Sequence, residues 1–217
     1  MNSQLKTDLK SFLEHFYKFE LIDSKNPDAI VIVGVIDIVD EADEHWESYK
    51  IKINFNKNDY PNVIPSVFEL SNKISRNWDF HISKKGECCL DISHELINQK
   101  RRGIVLTNFY KDLIYPFFAN HQYLLKKGNY ANGEYLHDDK GVVQFYEEEF
   151  GLTETNKIIE ILKLALGKSK AERNKECPIC GNPKYKKCCK PIVNKLIIYG
   201  WKQLESDLEM FKNMKSK

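Results

Sequence analysis

The chain has 217 residues, enough for two small domains with a real core, and its 33 Lys+Arg against 31 Asp+Glu leave a net charge of +2, so nucleic acid is not an implied partner. A run of about 18 apolar residues, as a membrane span needs, is absent, and the opening MNSQLKTDLKSFLEHF has no apolar leader core, so the expected location is cytoplasmic. Six cysteines in close groups suit thiolate chemistry and metal binding in a reducing compartment better than a disulfide framework.

In chain order, Gln4 to Phe19 places Leu5, Leu9, Phe12, Leu13, Phe16 and Tyr17 at helical spacing, which predicts an opening amphipathic helix. Ala29 to Val39 is β-branched throughout and reads as a strand buried on at least one face, followed by an acidic turn at Asp40 to Glu44. Trp46 to Phe55 alternates, with Tyr49, Ile51, Ile53 and Phe55 on one side and Lys50, Lys52 and Asn54 on the other. Tyr60-Pro61 and Pro65 fix φ and remove backbone donors, so they belong at a turn before the half-buried strand Ser66 to Leu70. That rigid strand leads to His81, Gly86 and the pair Cys88-Cys89, of which Cys88 should point inward by strand alternation.

The residues Tyr60-Pro61-x-x-Ile64-Pro65-x-Val67, followed by Gly86-x-Cys88-Cys89-Leu90-Asp91, resemble the ubiquitin-conjugating enzymes over roughly residues 1–118. The family pattern is Tyr-Pro-x-x-Pro-Pro-x-Val and then Gly-x-Ile-Cys-Leu-Asp. The resemblance implies an α+β, UBC-like fold, an antiparallel meander sheet with flanking helices, and makes Cys89 the nucleophile. Two departures stand out: Ile64 replaces the first proline of a pair, and the family's His-Pro-Asn tripeptide is missing. Asp79-Phe80-His81 stands in its place, so His81 takes the asparagine's position, where an imidazole N–H can donate to an oxyanion; the alternative is that it only holds its loop. Asp91 and His94 flank Cys89 closely enough to orient or deprotonate an incoming amine, with His94 as a plain surface residue the alternative.

Beyond the cysteines, Ile104 to Lys127 predicts a long helix that Pro116 kinks or divides, and Gly128 to Gly141 a long turn-rich loop in which Glu134, His137, Asp138 and Asp139 could form a polar wall. Thr153-Glu154-Thr155 caps a helix through Leu166, stopped by Gly167. Lysines and Arg173 then gather around Cys177, Cys180, Cys188 and Cys189. Four thiols at that density point to a structural zinc, a redox C-x-x-C pair being the alternative, and the segment resembles the SEC-C zinc knuckle, a tail that usually docks protein partners. Pro191 to Met214 closes as a helix. The expected domains are therefore 1–150, a helix and linker over 151–175, and a zinc knuckle with its closing helix over 176–217.

The resemblance implies that Cys89 accepts an acyl group as a thioester from an activating enzyme and passes it to an amine of a target protein. In bacterial members, found in anti-phage operons, the cargo is a ubiquitin-like protein or the C-terminus of a cyclic-nucleotide synthase. The chain ends Met-Lys-Ser-Lys without a Gly-Gly tail, so it is not expected to be a modifier itself. Two other readings stay open: a non-catalytic UBC/RWD-like protein-binding module with Cys89 as a packed thiol, and a Cys-His hydrolase.

Overall fold

The computed structural model describes residues 2–129 and 139–215, so the sequence-singled Glu134, His137 and Asp138 lie outside the described residues. The chain divides into two compact units, Met1–Glu134 and Tyr135–Lys217. Among the described residues no helix is long and apolar enough to cross a membrane.

The first unit is α+β. Helix α1 (Ser3–His15) is capped by the Asn2 side chain, whose Oδ1 accepts from Leu5 N–H at 2.7 Å, and it buries Leu5, Leu9 and Phe12. It stops four residues short of the predicted Phe19, because Phe19 starts strand β1 (Phe19–Ile22), which the sequence reading missed. The signal is faint: three of its four residues are exposed, so FELI shows no alternation. What places β1 is tertiary, the Phe19 ring lying over Gly34, where an added Cβ would stand 2.4 Å from it.

Strands β2 (Ala29–Val39), β3 (His45–Asn56) and β4 (Ser66–Glu69) complete an antiparallel sheet in the order β1-β2-β3-β4. Alternation sets one face: Ile30, Ile32, Ile36 and Ile38 of β2 and Tyr49, Ile51, Ile53 and Phe55 of β3 are buried, each large apolar side chain contributing roughly 2 kcal/mol. The β2–β3 turn is held by Asp40, whose Oδ1 accepts from the Ala42 and Glu44 N–H groups at 2.9 Å.

After the cysteines comes helix α2 (Ser93–Arg102), ended by Gly103. The predicted long helix is divided as Pro116 requires. Helix α3 (Leu106–Phe109) passes through a π turn at Tyr110–Ile114 into α4 (Tyr115–Lys127), with Pro116 in α4's first turn, directly after the π turn that interrupts the regular ladder. Helix α1 packs on α3, and α4 packs on β2 and β3, so one core joins sheet and helices.

The second unit is helical. Helix α5 (Asp139–Phe150), grouped with the first domain in the sequence reading, falls here: its Tyr146 hydroxyl donates to buried Asp207 at 2.7 Å, and its Phe145 ring meets Tyr199 edge-on. Helix α6 (Thr155–Ala165) packs on α7 (Cys189–Leu196) and α8 (Trp201–Lys215). The predicted single closing helix is broken because Gly200, at φ +82°, leaves the helical region.

Candidate functional site

Cys88 and Cys89 sit on a short hairpin whose turn, Ser83 to Gly86, is closed by the Gly86 N–H donating to the Ser83 carbonyl at 2.9 Å. Gly86 adopts φ +84°, a conformation that a side chain resists. On one side the hairpin joins the sheet edge. Gly86 O accepts from Glu69 N–H, and Cys88 N–H donates to Val67 O, both at 2.8 Å. On the other, Cys89 N–H donates to the His81 carbonyl at 2.8 Å. Alternation along this paired segment puts Cys88 in the core, 8% exposed, and leaves Cys89 exposed.

Cys89 opens on a groove of about 270 Å³ lined by Ile64, Pro65, Trp78, Leu90 and Leu96 with Ser66, Ser83, Glu87 and Cys88. Trp78, in a short 3-10 turn (Trp78–Phe80), is 68% exposed beside it. The groove is mostly apolar with a few polar groups at the thiol, the usual make-up of a site that holds a ligand.

The thiols are shifted in one direction. Burial pushes Cys88 up to about 12, with the Glu69 and Glu87 charges adding to it. Cys89 is raised by desolvation first and then by the Asp91 and Glu87 carboxylates. Asp91 itself is raised to about 6 by desolvation and by Glu95, although its Oδ1 accepts from Ile92 N–H at 2.7 Å. The Cys89 Sγ lies 3.7 Å from the Asp91 carbonyl. Asp91 therefore changes charge close to neutral pH, next to the exposed thiol.

The other two sequence-predicted residues sit differently. His81 is half-buried, with left-handed backbone (φ 52°, ψ 35°), and reaches Cys89 through its carbonyl. His94, in the first turn of α2, is fully buried, so it is neither a surface residue nor open to an incoming amine. Among the described residues the groove lining includes neither imidazole. Trp78 was missed by sequence reasoning: nothing in NWDF says that its indole stays outside.

In the second unit Cys177, Cys180, Cys188 and Cys189 bring their four sulfurs within 4.8 Å of one another, with Cys180 and Cys189 Sγ at 3.8 Å. The C-x-x-C turn is closed by Gly181 N–H on Cys177 O at 2.9 Å, with Gly181 at φ +69°. Cys188, at φ −129° and ψ −92°, is neither helical nor extended, and this bend lets two adjacent cysteines face one point at the start of α7. Burial raises the Cys177 thiol, but N–H groups of Cys180 and Ile179 and the neighbouring thiols outweigh it and bring it down to about 7. Cys188 and Cys189 are raised, by burial first and then by their sulfur neighbours. Four sulfurs converging on one point are the donor set a soft divalent cation takes, so the set can hold a metal ion.

Comparison of the chain with protein-family models, with curated proteins and with solved structures finds no match in any of the three.

Proposed function

We propose that the first unit is a UBC-like acyl-carrier domain, a transferase that holds a protein C-terminus as a thioester on Cys89 and passes it to an amine. The observation that carries this is the exposed Cys89 thiol on an apolar groove, at the end of a helix, four-stranded meander and cysteine hairpin. The Cys89 thiolate attacks the donor's thioester carbonyl, the donor sulfur leaves as thiolate and takes up a proton, and the acyl group now rests on Cys89. An amine then attacks that carbonyl, Asp91 accepts the ammonium proton, and Cys89 leaves as thiolate. Asp91, held near 6, is ionised often enough at neutral pH to take that proton and weak enough a base to release it. His94, being buried, has no part in this reading; His81 supports the loop through its carbonyl.

The raised thiol pKa favours a second reading, a non-catalytic UBC/RWD-like binding module, because a strong nucleophile is usually tuned downward. Thioester exchange accommodates it. The donor is already activated, and a thiol of high pKa leaves slowly, so its thioester lasts longer before transfer. The same shift speaks against a Cys-His hydrolase, which needs an imidazole beside the sulfur.

In the second unit the four cysteines would hold a structural zinc. A tetrahedral ZnS₄ site with Zn–S of about 2.3 Å has sulfur–sulfur edges of about 3.8 Å, the separation of Cys180 and Cys189. This SEC-C-like knuckle would serve as a partner-docking tail. The partners of the whole chain would be an activating enzyme, a ubiquitin-like protein or a cyclic-nucleotide synthase C-terminus as cargo, and a target protein, in bacterial anti-phage defence.

The test is co-expression with an activating enzyme and a ubiquitin-like protein. A thiol-sensitive adduct on the wild type, absent from Cys89→Ala and thiol-resistant in Cys89→Lys, is expected. An adduct that survives Cys89→Ala, or no adduct with any cargo of this class, overturns the reading.

A further inference from the structure

Two backbone routes fix Cys89: one from β4 through Gly86, the other from the 71–80 segment through the His81 carbonyl. They meet at one charge pair, buried at Glu69 and half-buried at Arg76. Glu69 occupies an inward-facing position of β4 and is 1% exposed. Its Oε1 accepts from Ser71 N–H at 2.6 Å, and its Oε2 lies 2.7 Å from Arg76 Nη2, an ion pair rather than an aligned hydrogen bond. Arg76 Nη2 also donates to the Glu69 carbonyl and to Asn72 Oδ1, both at 2.8 Å. The guanidinium covers Gly86 closely: a Cβ there would stand 3.1 Å from Arg76 Cζ, 3.2 Å from Nη1 and 2.7 Å from the Glu69 carbonyl oxygen.

We propose that Glu69 and Arg76 are positioning residues for Cys89, the guanidinium acting as a flat plate that holds Gly86 against β4 while its own backbone starts the turn leading to His81. The link to the second route is direct. Asn77, next to Arg76, accepts from Phe80 N–H through its Oδ1 at 3.2 Å, and its carbonyl accepts from Ile82 N–H at 3.2 Å. A shift of the plate therefore reaches Cys89 from both sides. A carboxylate taken out of water costs free energy that its ion pair only offsets, so the use of Glu69 with Arg76 at this junction fits a need for fixed geometry. The three oxygens all meet Nη2, while Cζ and Nη1 lie over Gly86; a lysine ammonium could face the oxygens but has no flat group to lay on the glycine.

This inference rests on Cys89 as an acyl carrier, and the experiment separates the two. Cys89 is loaded chemically from a glycine-terminated peptide thioester of mercaptoethanesulfonate, and discharge to free lysine is followed by mass spectrometry, beside iodoacetamide alkylation resolved at Cys88 and Cys89. In folded Arg76→Lys, which keeps the charge pair, lysine discharge is expected to fall about tenfold or more, because displacements near 1 Å cost that much, while Cys89 alkylation, which needs no positioning, stays within about threefold. In Arg76→Ala, added ethylguanidinium restores discharge, and Cys88 becomes alkylated about tenfold faster or more as its strand loosens. Discharge within about twofold of wild type, or an equal fall in discharge and alkylation, overturns the positioning role. If wild type discharges no faster than a glutathione thioester, the transferase reading fails, and the Cys88 arm alone decides the clamp: unchanged protection in both variants refutes it.

Discussion

Replacing Asp91 with Asn tests the electrostatics around Cys89 directly. The folded Asp91 carboxyl titrates at about 6 against an ordinary 3.8, a gap of 2.2, which at about 1.4 kcal/mol each is a ceiling of about 3 kcal/mol; partial exposure brings the expected effect to about 1–2 kcal/mol. The sign follows from the raised value. Stability from the protonated acid is fully present below its unfolded pKa and is lost as pH rises through about 6. Asn mimics the protonated acid and keeps an acceptor for Ile92 N–H, so Asp91→Asn should match wild type near pH 4 and exceed it by about 1–2 kcal/mol near pH 8. Urea unfolding across that range, at unchanged m, measures the difference. The midpoint of Cys89 alkylation against pH should fall as well, because the Asp91 charge helps to hold that thiol up. A stability difference that does not vary with pH, or a thiol midpoint that does not move, refutes the assignment. In transfer assays the proposed mechanism predicts that the same variant loads normally and discharges to lysine slowly, because there Asp91 would serve as proton acceptor in the second step alone.

Other expectations follow from geometry. Gly86→Ala combines a positive φ with a Cβ 2.7 Å from a backbone carbonyl, so it should cost about 2–4 kcal/mol, read as a lowered Tm. Cys88→Ala should keep the Cys89 adduct and cost about 1 kcal/mol of burial, visible in urea midpoints; loss of the adduct would mean that Cys88 takes part in the chemistry. Metal analysis should find one zinc per chain, lost on chelation and in Cys177→Ser, with cobalt substitution giving the ligand-field bands of a tetrahedral thiolate site. A redox pair would instead give a Cys177–Cys180 disulfide without metal.

Periodic segments were legible in the sequence. The alternation of Tyr49, Ile51, Ile53 and Phe55 gave β3 and its buried face, and the inward direction of Cys88 followed from the same rule. The cluster of four cysteines was readable because their spacing is local. Features that depend on distant partners were not. Strand β1 exists because Phe19 covers Gly34, and α1 ends early for the same reason. His94 looks like a surface residue in SHELINQK, yet the packing of α2 buries it completely. Glu69 did carry a signal, a carboxylate at an inward slot of an alternating strand, which demands a counter-charge; that Arg76 supplies it depends on how the intervening loop turns.

The opposed directions of Cys88 and Cys89 bear on oxidation. A disulfide between adjacent cysteines is strained in any case, and here Cys88 points mostly into the core while Cys89 faces water. A sulfenic acid formed at Cys89 points away from the Cys88 sulfur, so within its own hairpin it has no ready partner, and an external thiol such as glutathione can condense with it to a mixed disulfide that thiol exchange then removes. The groove thiol would thus be silenced by oxidative stress and revived after it, without any rearrangement of the hairpin that carries it.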